Sequence, residues 1–363
     1  MRLALTGGGT GGHILPAMTV LEAVRAQAGD GLDVRWFGPA DRGERARVEA
    51  FGLTFQDIPA SAMRGRGPCQ VAKGLFQLLR GTARAIRTLR AFHPDAVFST
   101  GGYGSFPCSV AARLLRKPLV VYLPDVEPGW AVRAEKRLAT RIATTTEAAL
   151  AFLPKAKTTV TGYPVRSIFF TQTRDEAREA LGLSANDRVV VIAGATQGAH
   201  AINAAIFGAL RPLVEAAIVF HITGPADADT ALGLRSTLGL DLEARYHVSA
   251  FRDDLPTVML ASDLAVMRAG ASVMGELPAA GLPSLLVPAA YAGGHQRANA
   301  EWLASAGAAV IVTEADVTSV PNRVLELLGD KERLSLMRGA ARTAAQPGAA
   351  AAVARIVIEA AQR

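Results

Sequence analysis

The chain has 363 residues, half of them hydrophobic and a fifth charged, with a formal net charge of +7. That balance excludes a disordered chain, and the length calls for two domains of comparable size. No apolar run is long enough to span a bilayer, and the N-terminus opens as a strand rather than as a signal peptide, so the expected location is cytoplasmic. Cys69 and Cys108 stand far apart, without His or Cys neighbours at ligand spacing. Neither a zinc site nor a disulfide framework is expected from them.

The first element carries the most information. Leu3-Ala4-Leu5-Thr6 opens directly into Gly7, Gly8, Gly9, Thr10, Gly11, Gly12 and His13, and an amphipathic stretch follows. This reads as strand, phosphate-sized loop and helix, with glycine N–H groups and a helix N-terminus available to an anion. His13 adds a group that titrates near neutrality and can exchange a proton with a bound ligand. A Rossmann loop has similar glycine spacing, but a nicotinamide site wants an acid ending the second strand, and Asp33–Gly38 runs into glycine and proline instead. A Walker loop is excluded because no lysine follows the glycines.

Between Arg64 and Arg90 the chain holds Arg64, Arg66, Lys73, Arg80, Arg84, Arg87 and Arg90 without one Asp or Glu, interleaved with Leu75, Phe76, Leu78, Leu79 and Ile86. A cationic, partly apolar helix of this kind suits an anionic membrane surface. A core-facing helix with a solvated basic back is the other reading. The stacking platforms and recognition modules of nucleic-acid binders are missing, so no nucleic-acid partner is expected.

Short β-rich runs alternate with helical segments, near 2–6, 34–36, 96–98, 119–121 and 142–144, then near 189–192, 218–220, 264–266, 285–287 and 309–312. The alternation predicts two α/β units with parallel sheets. Thr161-Gly162-Tyr163-Pro164 falls where the first series ends. Two further glycine loops follow strands, at Ser99–Pro107 and at Ala193–His200. Loops at strand carboxyl ends in both halves point to ligands in a crevice between domains. From Arg342 the chain is alanine-rich and helical, interrupted near Pro347-Gly348.

In the segments Gly8–His13, Gly101–Tyr103, Gly162–Arg166, Gln197–Ala199, Arg268–Ala271, Glu276 and His295–Asn299, the chain resembles the MurG-type N-acetylglucosaminyltransferases over nearly its full length. The resemblance implies the α/β GT-B fold, two Rossmann-like domains with parallel sheets facing across a cleft. Residues 1–161 would form an acceptor and membrane-associating domain and 162–341 a UDP-sugar domain, with 342–363 as a helical segment packing back on the first. It further implies an enzyme of peptidoglycan synthesis, and so of cell-wall biogenesis, shape and division. Such an enzyme sits peripherally at the cytoplasmic face of the inner membrane, moves N-acetylglucosamine from UDP to lipid I with inversion, and needs neither metal nor cofactor.

By the same resemblance, the donor UDP-N-acetylglucosamine is assigned to Thr10, Gly11, Gly12, Arg166, Thr196, Gln197, Phe251, Ala271, Glu276, Gln296 and Asn299. Glu276 would accept from both ribose hydroxyls; Arg166 and Thr196 would face the diphosphate, and Phe251 the base. Gln296 and Asn299, three apart on one helical face, would offer amides to sugar hydroxyls. His13, Tyr103 and Asp125 are the catalytic candidates, with His13 or a nearby acid as base. Arg64, Arg66, Lys73, Leu75, Phe76, Leu79 and Arg80 are assigned to the acceptor and the anionic membrane. Asp227-Ala228-Asp229 has the spacing of a metal pair but reads as a solvated turn.

The family's His-Glu-Gln-Asn run is here replaced by Tyr122-Leu123-Pro124-Asp125, and Val273 and Met274 replace a more polar stretch before Glu276. The first change rebuilds the acceptor side, with Asp125 or Glu127 available as a substitute base; the second is on the donor side, where loss of a hydroxyl would weaken a sugar contact. Two other readings follow from the first change: a transferase acting on another glycolipid, and a sugar-nucleotide-binding homologue without catalysis.

Overall fold

The computed structural model describes residues 1–8, 11–29, 31–40, 43–60, 68–194, 198–290 and 294–362. It divides into two compact units, Met1–Pro164 with Gly348–Arg363, and Val165–Pro347. The crossing therefore lies at Pro164–Val165 rather than at 161–162. The second unit keeps residues 342–347, because helix Lys331–Ala344 runs on past residue 341 as one continuous piece.

Among the described residues, the first unit holds a seven-stranded sheet. Its strands are β1 (Arg2–Thr6), β2 (Asp33–Gly38), β3 (Thr54–Asp57), β4 (Ala96–Ser99), β5 (Leu119–Leu123), β6 (Arg141–Thr144) and β7 (Thr158–Val160), in the order β3-β2-β1-β4-β5-β6-β7. Every neighbouring pair is parallel. The helices that place the site are α1 (Gly11–Ala28), α2 (Glu44–Ala50), α3 (Pro68–Phe92), α4 (Phe106–Leu114) and α5 (Trp130–Leu138).

β5 is buried along its whole length, as its unbroken Leu-Val-Val-Tyr-Leu run requires of a strand covered on both faces. One face is covered by α1, through Ile14, Met18, Leu21 and Val24, together with the final helix Ala349–Ala361, through Val353, Ala354 and Val357. The other is covered by α3 and α4, through Ala85, Leu89, Phe92, Cys108, Ala111 and Ala112.

The second unit carries, among its described residues, a six-stranded parallel sheet of β8 (Val189–Ala193), β9 (Ile218–Ile222), β10 (Tyr246–Ser249), β11 (Leu264–Met267), β12 (Ser284–Leu286) and β13 (Ala309–Ile311). Its order is β10-β9-β8-β11-β12-β13. In each sheet the order reverses once, between β1 and β4 and between β8 and β11. Open parallel sheets take ligands at such points, beyond the strand carboxyl ends.

Candidate active site

In the first unit Thr6 pairs with Ser99, so the loops after β1 and β4 start at one level. They touch backbone to backbone. A Cβ on Gly102, whose φ is +89°, would lie 2.1 Å from the Gly8 carbonyl oxygen, so only glycine fits.

His13, in the first turn of α1, is tied twice to the β4 loop. Its Nδ1 donates to the Thr100 carbonyl at 2.9 Å, and Thr100 Oγ1 donates to the His13 carbonyl at 2.9 Å. A carbonyl only accepts, so the Nδ1–H tautomer is set and Nε2 keeps its lone pair. Burial lowers the imidazole pKa, against smaller raising effects from the Thr100 bond and from the charge of Asp125 on the loop after β5. The ring is therefore neutral near pH 7. His13 and Asp125 thus interact, and Tyr103 is half-buried in the same β4 loop.

Tyr122, in the family's His position, is fully buried and bonds Thr145 Oγ1 at 2.7 Å and the Gly162 carbonyl at 3.2 Å. It is a core tie between strands, and the polar group retained at the end of this strand is Asp125.

The core-facing reading of the basic segment describes only part of α3. Its C-terminal half is core-facing, with Ala85, Leu89 and Phe92 buried and Arg84, Arg87 and Arg90 outside. Toward its N-terminal half Phe76 and Leu79 are 66% and 63% exposed beside exposed Arg80, an apolar and basic surface. Arg64 and Arg66 lie outside the described residues, as do the side chains of Lys73 and Leu75.

In the second unit Arg166 and Glu276 come together, with Arg166 Nη2 3.6 Å from Glu276 Oε1. Glu276 stands in the first turn of helix Val273–Ala280, just after half-buried Ala271. Burial raises its carboxyl pKa, against lowering by Arg166 and Ser272. Arg166 Nε is buried and has no hydrogen-bond partner among the described residues. The orphaned cationic N–H beside a half-buried carboxylate is able to meet an acceptor atom of a polar ligand. Phe251, just past β10, is 59% exposed, so it is a platform and not a core residue.

Two expectations change here, for Asn299 and for Asp227. Asn299 is fully buried and donates to the Ala269 carbonyl at 3.1 Å, while Gln296 Oε1 accepts from Ala289 N–H at 2.9 Å. Asn299 therefore holds the turn before Glu276 instead of meeting a sugar, while half-buried Gln296 is positioned through its Oε1. Arg268 acts likewise through Val287 and Glu314. Val273 and Met274 are buried, 2% exposed each. Asp227 is not a solvated turn acid: only 8% exposed, it accepts from Asn203 Nδ2 at 2.7 Å and bonds His200 Nδ1 at 2.9 Å.

Thr10, Thr196 and Gln197 lie outside the described residues, as does the burial of Gly11; Gly12 is exposed at the start of α1. Two buried carboxylates were missed by sequence reasoning. Glu44 accepts from Trp36 Nε1 at 2.8 Å beside the β1 loop, and Glu135 collects three serine hydroxyls beneath the β4 loop. Ser105 and Ser109, four residues apart, are the sequence signal that could have found the second.

The family model described as the glycosyltransferase family 28 N-terminal domain matches residues 3–144, and the family 28 C-terminal domain matches residues 188–354. The chain is 35% identical to a UDP-N-acetylglucosamine--N-acetylmuramyl-(pentapeptide) pyrophosphoryl-undecaprenol N-acetylglucosamine transferase of Roseiflexus sp., over 96% of this chain and 93% of that one. It is 34% identical to the enzyme of the same name from Moorella thermoacetica, over 99% of both. Among solved structures, Acinetobacter baumannii MurG aligns over 99% of both chains with a TM-score of 0.74 at 25% identity. A UDP-GlcNAc 2-epimerase from Neisseria meningitidis, bound to UDP-GlcNAc, shares the fold with a TM-score of 0.65 at 17% identity, over 99% of both chains. The fold is GT-B, and the chain belongs to glycosyltransferase family 28 and, within it, to the N-acetylglucosamine transferases of the MurG family.

Proposed function

We propose that this protein transfers N-acetylglucosamine from UDP-N-acetylglucosamine to undecaprenyl-pyrophosphoryl-N-acetylmuramyl-pentapeptide, lipid I, giving lipid II. The observation that carries the chemistry is the imidazole of His13, fixed through Thr100 with its Nε2 lone pair retained. An acceptor hydroxyl attacks the anomeric carbon as the bond to UDP breaks, and the hydroxyl proton passes to Nε2; a single displacement inverts the centre. Asp125 supports the imidazolium that forms.

On the donor side Glu276 accepts the ribose hydroxyls, Phe251 lies under the base, and the free Nε–H of Arg166 meets the departing diphosphate. No metal is required: glycine-loop amides and Arg166 answer the diphosphate charge, and the first carboxylate of the Asp227–Asp229 pair is committed to His200 and Asn203. Among the described residues no helix is long and apolar enough to cross a membrane. Phe76, Leu79 and Arg80 of α3 instead seat the protein on the anionic cytoplasmic face, where lipid I is presented.

The test is UDP release from UDP-N-acetylglucosamine with and without a lipid I analogue, in the unaltered protein and in His13→Ala and Glu276→Ala. Release that depends on lipid I and collapses in both variants supports the reading. Release that answers instead to a diacylglycerol acceptor would assign the rebuilt Tyr122–Glu127 segment to another glycolipid. Donor binding without any release would mark a non-catalytic homologue.

A further inference from the structure

Glu135, on α5, is fully buried beneath the glycine loop that follows β4. Its Oε1 lies 2.7 Å from Oγ of Ser105, just before α4, and 2.7 Å from Oγ of Ser109 in α4, and its Oε2 lies 3.2 Å from Ser99 Oγ at the end of β4. The same serines hold the loop. Ser99 Oγ accepts from Gly101 N–H at 3.1 Å, and Ser105 Oγ stands 2.8 Å from the Gly102 carbonyl oxygen. Gly102 abuts Gly8 on one side and Tyr103 on the other.

A serine hydroxyl has one proton to give. When Glu135 is ionised, Ser105 donates to the carboxylate, and the Gly102 carbonyl keeps only the long 3.3 Å bond from Ser105 N–H. When Glu135 is protonated, its own O–H donates to Ser105 Oγ, and the Ser105 proton is released to the Gly102 carbonyl. The hydroxyl is thus a relay with two settings, one of which grips the loop.

We propose that Glu135 is a positioning residue which, through the direction of the Ser105 hydroxyl, fixes or frees the Gly101–Tyr103 loop that receives the acceptor. That the loop meets the acceptor rests on the reading of His13, which the neighbouring Thr100 holds, as the base for the acceptor hydroxyl; the relay itself does not.

The setting changes within the physiological range. Burial drives the Glu135 carboxyl up to about 7, against smaller lowering by Ser105, Ser109 and Ser99. The other titratable group acting nearby is the Cys108 thiol of α4, which burial pushes to about 12 and so keeps protonated; Glu44 of α2 bears on that same thiol. The cations of α5 are turned elsewhere, Arg133 to the Pro128 carbonyl and Lys136 to the Phe152 carbonyl. No cation among the described residues offsets the carboxylate, and the grip belongs to the lower-pH form.

The experiment measures KM for a lipid I analogue and for UDP-N-acetylglucosamine across about pH 5.5 to 8.5 in the unaltered protein, Glu135→Gln and Ser105→Ala. In the unaltered protein the acceptor KM rises about five-fold through pH 7, the donor KM showing no such step. Glutamine retains size and a donor but cannot ionise, so Glu135→Gln keeps the low KM throughout, while Ser105→Ala has the high KM throughout. An equal pH step in Glu135→Gln overturns the proposal. A second readout needs no activity: the amide resonances of Gly101 and Gly102 should titrate near pH 7 in the unaltered protein and stand still in Glu135→Gln. Resonances that do not move in the unaltered protein also overturn it. Absence of UDP release with every acceptor, with the resonances titrating as expected, would fail the functional reading and leave the relay standing.

Discussion

His13 and Thr100 exchange hydrogen bonds in both directions, ring to carbonyl and hydroxyl to carbonyl, each at 2.9 Å. The pair locks the start of α1 to the β4 loop and settles which ring nitrogen is available. Replacing His13 by Gln should lower kcat by about 10²-fold or more, the usual worth of a positioned base. Thr100→Val keeps the carbonyl but loses the hydroxyl bond, and its kcat should fall by roughly tenfold. Initial rates of UDP release at saturating donor check both.

The acid limb of the rate profile reports His13, because the base must be neutral. Burial places that limb below the ordinary histidine value of 6.5, and the negative charge of Asp125 opposes the shift. Asp125→Asn removes the opposition, so the limb should move to still lower pH. A limb that moves to higher pH in Asp125→Asn would assign it to another group.

Arg166 and Glu276 prepare the donor side as a pair 3.6 Å apart. Hydrogen bonds involving a charged partner are worth about 1.5–3 kcal/mol. Glu276→Gln and Arg166→Ala should therefore each weaken UDP-N-acetylglucosamine binding by roughly 10- to 100-fold. Titration calorimetry without acceptor measures this apart from turnover. Only Arg166→Ala should weaken UDP far more than uridine, since its target is the diphosphate.

The surface of α3 makes a separate prediction. Phe76→Glu with Leu79→Glu removes two exposed apolar side chains and adds like charge facing anionic lipid. Cosedimentation with phosphatidylglycerol vesicles should fall by about tenfold or more, and raised salt should weaken the unaltered protein in the same direction.

What could be read from the sequence divides along burial. The strands recognised from apolar runs include the sheet centres, β1, β4, β5, β8 and β11, where both faces are covered. The three that were missed, β3, β7 and β10, are edge strands. Thr-Phe-Gln-Asp, Thr-Thr-Val and Tyr-His-Val-Ser carry polar residues because one side meets solvent, and no apolar run marks them. The glycine loops and His13 were visible because loop chemistry is local in sequence, whereas Arg166 and Glu276 were named only through the family resemblance. Asn299, Asp227 and Glu135 were misread or missed because their partners lie far along the chain, at Ala269, His200 and Ser99. A buried polar group is defined by its partners, which only the fold supplies.

Glu135 also fixes how stability responds to pH. Its folded carboxyl titrates near 7 against an ordinary value of 4.5, so the folded state holds a proton that the unfolded chain has released between those values. This contribution is fully present below about pH 4.5, declines as pH rises, and is gone above about 7, with a total on the order of 3 kcal/mol. Glu135→Gln has no such proton to lose. Its Tm should therefore stand above that of the unaltered protein at pH 8, with the gap closing as pH is lowered toward 5. Thermal unfolding of the two proteins at those pH values tests the sign directly, and a gap that widens at low pH would mean that the carboxylate is held ionised in the fold.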